Sequence, residues 1–469
     1  RDRSVSRGLG DVYKRQKEVY MKAKKLFAAA AAVLIAGTVL TFAGCVSRGA
    51  DGLDGQDVSI YEIYEATNAA RAEEGLDELT FLEFVSEYLS YDGSEAEQLI
   101  SLQTSINRSL LSAVSVTANF RVSASFPSLG SEVVQSAGSG VIVEVDREEG
   151  DMYVITNCHV VYDDSALDGE ISNDVHVYLY GQEDERYAIS AEVIGASLTY
   201  DIAVLRVDDS DTVRRSDAMA AGWTDAENIS VGQTVYAIGN AAGEGISATT
   251  GIVSVDSEYI TIDMGTETED YRDYRTMRTS VPVYSGNSGG GLFDAGGNLV
   301  GIINSKTWSI PGETDDEPAD NMSNAIPASV ARRVAQCMID WYEEDGATHT
   351  NGVRRALIGV TLMSVSQRAV LDNDTNLVNI VETVEVNGIN IGSPANGVLQ
   401  TGDVITGIEV VGSDGAIKES VEVERIFNVI DTVLAVRAGD TVNFTLERGG
   451  EEMSVSLGEI SQSEYTLTW

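Results

Sequence analysis

Residues 284–294 read YSGNSGGGLFD, and the meaning of this stretch decides how the chain is built. Four of the eleven residues are glycine, with Ser288 in their midst. Glycine–serine text is either a flexible linker or a rigid loop that presents one hydroxyl. Strand-like runs abut both sides, TSVPV at 279–283 and LVGII at 299–303. A flexible linker does not carry such flanks, so the rigid-loop reading holds.

A serine hydroxyl is a poor nucleophile until a base takes its proton, and the base needs a carboxylate to fix its tautomer and stabilise the imidazolium. The chain has only three histidines. His176 alternates within DVHVYLY (174–180) as a strand surface residue, and His349 lies in a linker. His159, in ITNCHVV (155–161), closes an apolar strand. Asp201 heads the hydrophobic run DIAVLRV (201–207), where an acid is costly to bury without a partner. The order His159, Asp201, Ser288 is that of the chymotrypsin class. The glycines fit the same chemistry. Attack on a peptide carbonyl creates an oxyanion that needs preorganised N–H donors, and turning the amides of Gly286 and Ser288 toward one point requires backbone that side chains obstruct.

The 469 residues carry 74 acids against 31 bases, a formal charge of −43. Phosphate recognition needs a basic surface, so nucleic-acid binding is excluded. The acidity reads as solubility and self-repulsion. Hydrophobic content of 43% and six prolines indicate folded domains. Residues 1–20 precede a natural start and resemble translated adapter sequence. From Met21, MKAKKLFAAAAAVLIAGTVLTFAGC has a basic start, an apolar run over 26–42 and small residues before Cys45, the pattern of a secretory signal. Its AGC ending resembles a bacterial lipoprotein signal, which implies lipid attachment at Cys45, a membrane anchor and an extracytoplasmic location. Removing residues 1–45 leaves 22 bases against 71 acids, a formal −49. Cys158 and Cys337 read as buried thiols, not a disulfide framework.

A polar, glycine-rich tether spans 46–58, and a helical pattern with acids between apolar positions runs over 59–104 and on toward 115. From about 136 the chain turns to short β-rich runs between glycine turns: GSGVIVEV, MYVITNCHVV, VHVYLY, DIAVLRV, QTVYAIGN, ATTGIVSV, TMRTSVPV and LVGIINS. Such runs without intervening helices predict an all-β barrel or sandwich. ASVARRVAQCMIDWYEE (328–344) predicts a helix, 343–353 a linker, and 354–460 a small separate domain with one helix over 423–436.

With these pieces in order the chain resembles the HtrA/DegP-like trypsin-fold serine proteases over residues 105–460. TNCHVV (156–161), YDIAVLRV (200–207) and GNSGGGLFD (286–294) match the family's histidine, aspartate and serine motifs. VGQTVYAIGNAAGEGISATTGIVS (231–254) and NAIPAS (324–329) match the connecting stretches, and ALIGVTL (356–362) with GSPANGVLQTGDVITGIEVVG (392–412) resembles its PDZ domain. The resemblance implies a mainly β architecture: a two-barrel chymotrypsin-fold protease domain at 105–342 and an α+β PDZ domain at 354–460, after a short helical N-terminal region. It implies His159 as general base, Asp201 as its orienter, Ser288 as nucleophile, and the Gly286 and Ser288 N–H groups as oxyanion hole. Peptide C-termini would bind free backbone amides at Leu357, Ile358, Gly359 and Val360, beside the 423–436 helix. Tyr284 and Ser285 stand near the expected specificity pocket in place of residues usual for the family, so the resemblance does not imply its preference for small aliphatic side chains here. The expected activity is endoproteolysis of unfolded or damaged protein, with no cofactor and no metal, and with a trimer as the family's common assembly. A catalytically idle PDZ scaffold is the alternative, and the presence of all three triad residue types speaks against it.

Overall fold

The computed structural model describes residues 102–124, 130–224, 229–263, 271–308, 318–373 and 375–468, together with Arg71. The adapter-like segment, the signal with Cys45, the tether and nearly all of the 59–104 helical region therefore lie outside the described residues.

Six strands close into a first barrel in the order β1-β2-β3-β6-β5-β4. They are β1 (Ala113–Ser123), β2 (Ser131–Asp146), β3 (Asp151–Thr156), β4 (Val175–Leu179), β5 (Ile189–Ser197) and β6 (Ile202–Val207). Alternation explains the inward set: in β4, Val175, Val177 and Leu179 are buried while His176 and Tyr178 face outward. The barrel interior is a branched aliphatic core that includes Val114, Val116, Ile142, Val154 and Leu205.

The second barrel is built from β7 (Gly222–Trp223), β8 (Thr234–Gly239), β9 (Ser247–Asp263), β10 (Tyr271–Thr279), β11 (Gly291–Asp294), β12 (Asn298–Trp308) and β13 (Pro318–Pro327). The sheet order is β11-β8-β9-β10-β13-β12-β7, and a further β11–β12 pairing closes it. Helix α1 (102–109) lies against this barrel, where Ser109 Oγ and Tyr236 Oη share a buried hydrogen bond of 2.9 Å. After α2 (Cys158–Val161), a single turn, the long helix α3 (Ala328–Asp345) packs into the seam between the barrels. Ile155, Ile202, Tyr236, Phe293 and Met338 meet there in one core, so the relative placement of the barrels is fixed by burial.

The C-terminal segment forms two antiparallel sheets: β14 (Val353–Ala356) pairs with β21 (Tyr465–Thr468), and β15 (Val360–Leu371), β16 (Val378–Ile389), β17 (Val404–Val411), β19 (Thr441–Arg448) and β20 (Glu451–Glu459) make the other in that order, with β18 (Ile417–Glu422) beside β17. Its helix α4 (Ile426–Thr432) is shorter than the expected 423–436, because a 3-10 turn takes over at Val433–Ala435.

Other expectations need correction. The helical pattern runs on toward 115 in the sequence, yet the chain is already extended at Ala113; β1 alternates apolar and polar residues and pairs on both sides. CHVV is a helical turn, not the end of a strand. The strand expected through TSVPV stops at Thr279. Nor is 346–352 slack: His349 N donates to Ile194 O at 2.8 Å and Gly352 N to Ala196 O at 2.9 Å. The His349 ring stacks on Trp341 with centroids 3.6 Å apart, and Nε2 meets the Asp345 carboxylate.

The C-terminal segment docks on the two barrels through buried charge. Arg275 on β10 pairs with Asp431 on α4, with only 7% and 4% of the two side chains exposed. Ser329 Oγ accepts from Arg275 at 2.6 Å and donates to Asp431 at 2.8 Å, and the guanidinium lies 4.2 Å from the Phe427 ring centroid. Removing one partner strands a buried charge. Arg275→Met is therefore expected to destabilise the docked protein by about 3 to 5 kcal/mol. Adding Asp431→Leu should recover most of that loss in thermal melts; equal loss in single and double variants would refute the account.

Candidate active site

His159 comes from α2, Asp201 from the turn between β5 and β6, and Ser288 from the loop between β10 and β11. The two barrels thus contribute opposite sides of one seam. Asp201 is 1% exposed and adopts a left-handed backbone (φ 47°), which a short polar side chain tolerates. Its amide closes the turn onto Leu198 O at 3.2 Å, and Asn157 Nδ2 donates to its carbonyl oxygen at 2.9 Å.

The carboxylate of Asp201 is fully used. Oδ1 accepts the His159 backbone N–H at 2.9 Å, and Oδ2 accepts from His159 Nδ1 at 2.8 Å. Asn304 Nδ2 donates to the same Oδ2 at 2.5 Å. Burial pulls the His159 imidazole down, but the charge of Asp201 and its hydrogen bond outweigh that and hold it above its ordinary value. The ring keeps 39% of its side-chain surface exposed toward the seam. Burial pushes the neighbouring Cys158 thiol well up, and the Asp201 charge adds to this; the group stays a neutral thiol. Both Cys158 and Cys337 are free and buried.

The serine loop is held by backbone. Ser139 on β2 is its main anchor: Ser139 N donates to Ser288 O at 2.8 Å, and Ser139 Oγ donates to Gly286 O at 2.6 Å. The same hydroxyl accepts from Asn240 N at 2.8 Å. Ala242 N donates to Ser285 O at 2.7 Å, which fixes the peptide ahead of Gly286. Gly286 has φ +97°, and a Cβ there would sit 2.2 Å from Asn240 O. At Gly289 (φ +84°) it would sit 2.2 Å from Ser139 O. No other residue fits either position. Among the described residues, the N–H groups of Gly286 and Ser288 make no internal hydrogen bond, so both remain available to an acceptor. The Ser288 hydroxyl rests on Asn304 O at 3.1 Å rather than on His159; nucleophile–base bonds of this type often tighten only when substrate is bound.

Tyr284 (57% exposed) and Ser285 stand at the surface just ahead of this loop. At the peptide-binding candidate, the expectation of free amides at all four positions needs correction. Leu357 N–H donates to Glu464 O at 2.7 Å, because the chain's own C-terminal strand pairs beside β14. Gly359 (φ +74°) follows, and Val360 opens β15, an edge strand with α4 packed against it.

Residues 138–302 match the model of the trypsin-like peptidase domain. The chain is 28% identical over 342 residues to the serine protease Do-like HtrA of Lactococcus lactis subsp. cremoris, covering 71% of this chain and 73% of that one. It is 31% identical over 323 residues to a probable periplasmic serine endoprotease DegP-like of Rhizobium meliloti, covering 69% of this chain and 53% of that one. This is an HtrA/DegP-like serine endopeptidase. A solved HtrA-type protease, AlgW with a tripeptide, aligns over 77% of this chain and 96% of its own at 24% identity, with a TM-score of 0.45, a likeness too loose to bear on the site.

In this protease the sequence-based reading missed the supports of the site: Ser139, Asn157 and Asn304. A usable signal existed for two of them. Asn157 in VITNC and Asn304 in VGIIN are polar residues closing apolar runs, which bury at a cost unless partnered. The same reasoning singled out Asp201.

Proposed function

We propose that His159, Asp201 and Ser288 are the catalytic triad of this endopeptidase. Ser288 Oγ attacks the scissile carbonyl, and His159 Nε2 takes its proton and returns it to the leaving amine. Asp201 holds Nδ1–H and stabilises the imidazolium, while Gly286 and Ser288 N–H receive the oxyanion. The carrying observation is the Asp201 carboxylate, bound at once to the backbone and the ring of His159. Tyr284 and Ser285 border the side-chain pocket. Residues 354–460 act as a PDZ domain that takes peptide C-termini at Ile358, Gly359 and Val360, with the Leu357 amide already spent on Glu464. The substrates are unfolded polypeptides. The protein works outside the cytoplasm, lipid-anchored at Cys45, a location that the relatives named periplasmic favour.

A fluorophosphonate probe tests the core of this reading. The label should map to Ser288 by peptide mass spectrometry in a preparation that cleaves casein. A folded protein that neither labels nor cleaves would be an idle scaffold. The pH profile gives a second check. The base must be neutral to work, and Asp201 raises its pKa. Activity should therefore be full at higher pH and fade on acidification through a midpoint above the ordinary histidine value of about 6.5. A kcat/KM profile that stays flat well below that midpoint excludes His159 as the base.

A further inference from the structure

We propose that Asn304 is a positioning residue for the Asp201–His159 pair, its side-chain amide holding the carboxylate oriented as an acceptor so that the imidazole keeps the tautomer in which Nε2 is a base. The inference rests on the triad reading and extends it to a residue outside the three.

An NH₂ group donates and does not accept, so Oδ2 of Asp201, which faces Asn304 Nδ2 at 2.5 Å, must be an acceptor. A proton on that oxygen would point at a donor. Oδ1 is pinned in the same sense by the His159 backbone N–H at 2.9 Å, which cannot invert. Both oxygens are thus committed as acceptors, in a site where the residue is 1% exposed. The ring nitrogen that meets Oδ2 at 2.8 Å must then carry hydrogen. That leaves Nε2 with its lone pair toward the seam.

The orientation of Asn304 has a cost that identifies its purpose. The residue is 2% exposed, yet its Oδ1 makes no hydrogen bond among the described residues. A buried amide serving only to fill space would gain by giving its oxygen a donor. Here the oxygen is left unpaired while the nitrogen is given to Asp201. The backbone of the same residue reaches the other end of the site, since Asn304 O accepts the Ser288 hydroxyl at 3.1 Å. Its position is set by the pairs just before it, Gly289 N to Ile303 O at 2.9 Å and Ile303 N to Gly290 O at 2.8 Å. The Asp201 charge acts on two titratable groups of α2, the His159 imidazole and the Cys158 thiol.

The test is Asn304→Leu in the full chain, close in shape and without a donor, with Asn304→Ala carrying the same readings should the leucine variant not fold. kcat/KM for a peptide substrate is measured across pH, and folding by thermal melt. Loss of one charge-assisted hydrogen bond predicts a fall in kcat/KM of about 10- to 100-fold. The acidic limb should move to higher pH, because a carboxylate shared by fewer donors acts more strongly on the imidazolium. A folded variant with unchanged activity, or one with reduced activity whose limb stays in place or moves down, overturns the proposal. The last outcome marks a merely structural role. Failure of the triad reading looks different: wild-type protein would then lack label at Ser288.

Discussion

Ser288→Ala is expected to lower casein turnover by about 10⁶-fold, the scale seen when a triad nucleophile is removed, with almost no change in melting temperature. The contrast follows from how the loop is held. Ser139 N reaches Ser288 O, Ser139 Oγ reaches Gly286 O, and Gly289 N reaches Ile303 O. None of these uses the Ser288 side chain. Alanine forfeits only the hydroxyl bond to Asn304 O, worth about 1 kcal/mol for a neutral pair. The two free N–H groups of the loop survive the change. The variant should therefore still bind substrate and keep a residual rate of about 10³ to 10⁴ over water. A variant that retains more than about a thousandth of wild-type turnover would place the nucleophile elsewhere.

The proposed triad residues stand out in sequence because each is flanked by local text with one economical reading. Glycines on both sides of Ser288 signal backbone that must turn tightly, and Asp201 at the head of DIAVLRV is an acid where hydrophobic burial disfavours one. The helix at 328–345 was equally open to reading, since its apolar spacing follows one face after Pro327. The supports were hidden because their partners are remote: Asn304 lies 103 positions from Asp201, and Ser139 lies 147 from Gly286. Asn304 closes an apolar run but nothing local names its partner, Ser139 makes no local pattern at all, and only the closing of two barrels brings the pairs together. β5 escaped notice because ISAEVIGAS is buried on both faces over its second half, which erases the alternation that marks a half-exposed strand. The occupied Leu357 amide was beyond reach for a further reason. Its partner is Glu464, beyond the 354–460 domain that the sequence outlines.

Asp201→Asn is expected to leave the fold intact and cut turnover about 10⁴-fold, and the hydrogen bonds around the carboxylate say how. An amide must put its NH₂ where one of the two oxygens was. At the Oδ1 position it would face the His159 backbone N–H, a donor that cannot invert. At the Oδ2 position it faces two groups that can. Asn304 can flip and offer Oδ1, which is unpaired in the native site. His159 can move its proton to Nε2 and accept at Nδ1. The second arrangement therefore wins: the new amide is fully paired, Asn304 exchanges an unpartnered oxygen for an unpartnered NH₂, most of the stability is retained, and the imidazole holds a proton on the nitrogen that should receive one from Ser288. The loss is in kcat rather than in binding, since the Gly286 and Ser288 N–H groups proposed for the oxyanion are untouched. Fluorophosphonate labelling should slow in parallel, because it draws on the same activated hydroxyl. A drop of less than about tenfold would mean that Asp201 does not orient the base.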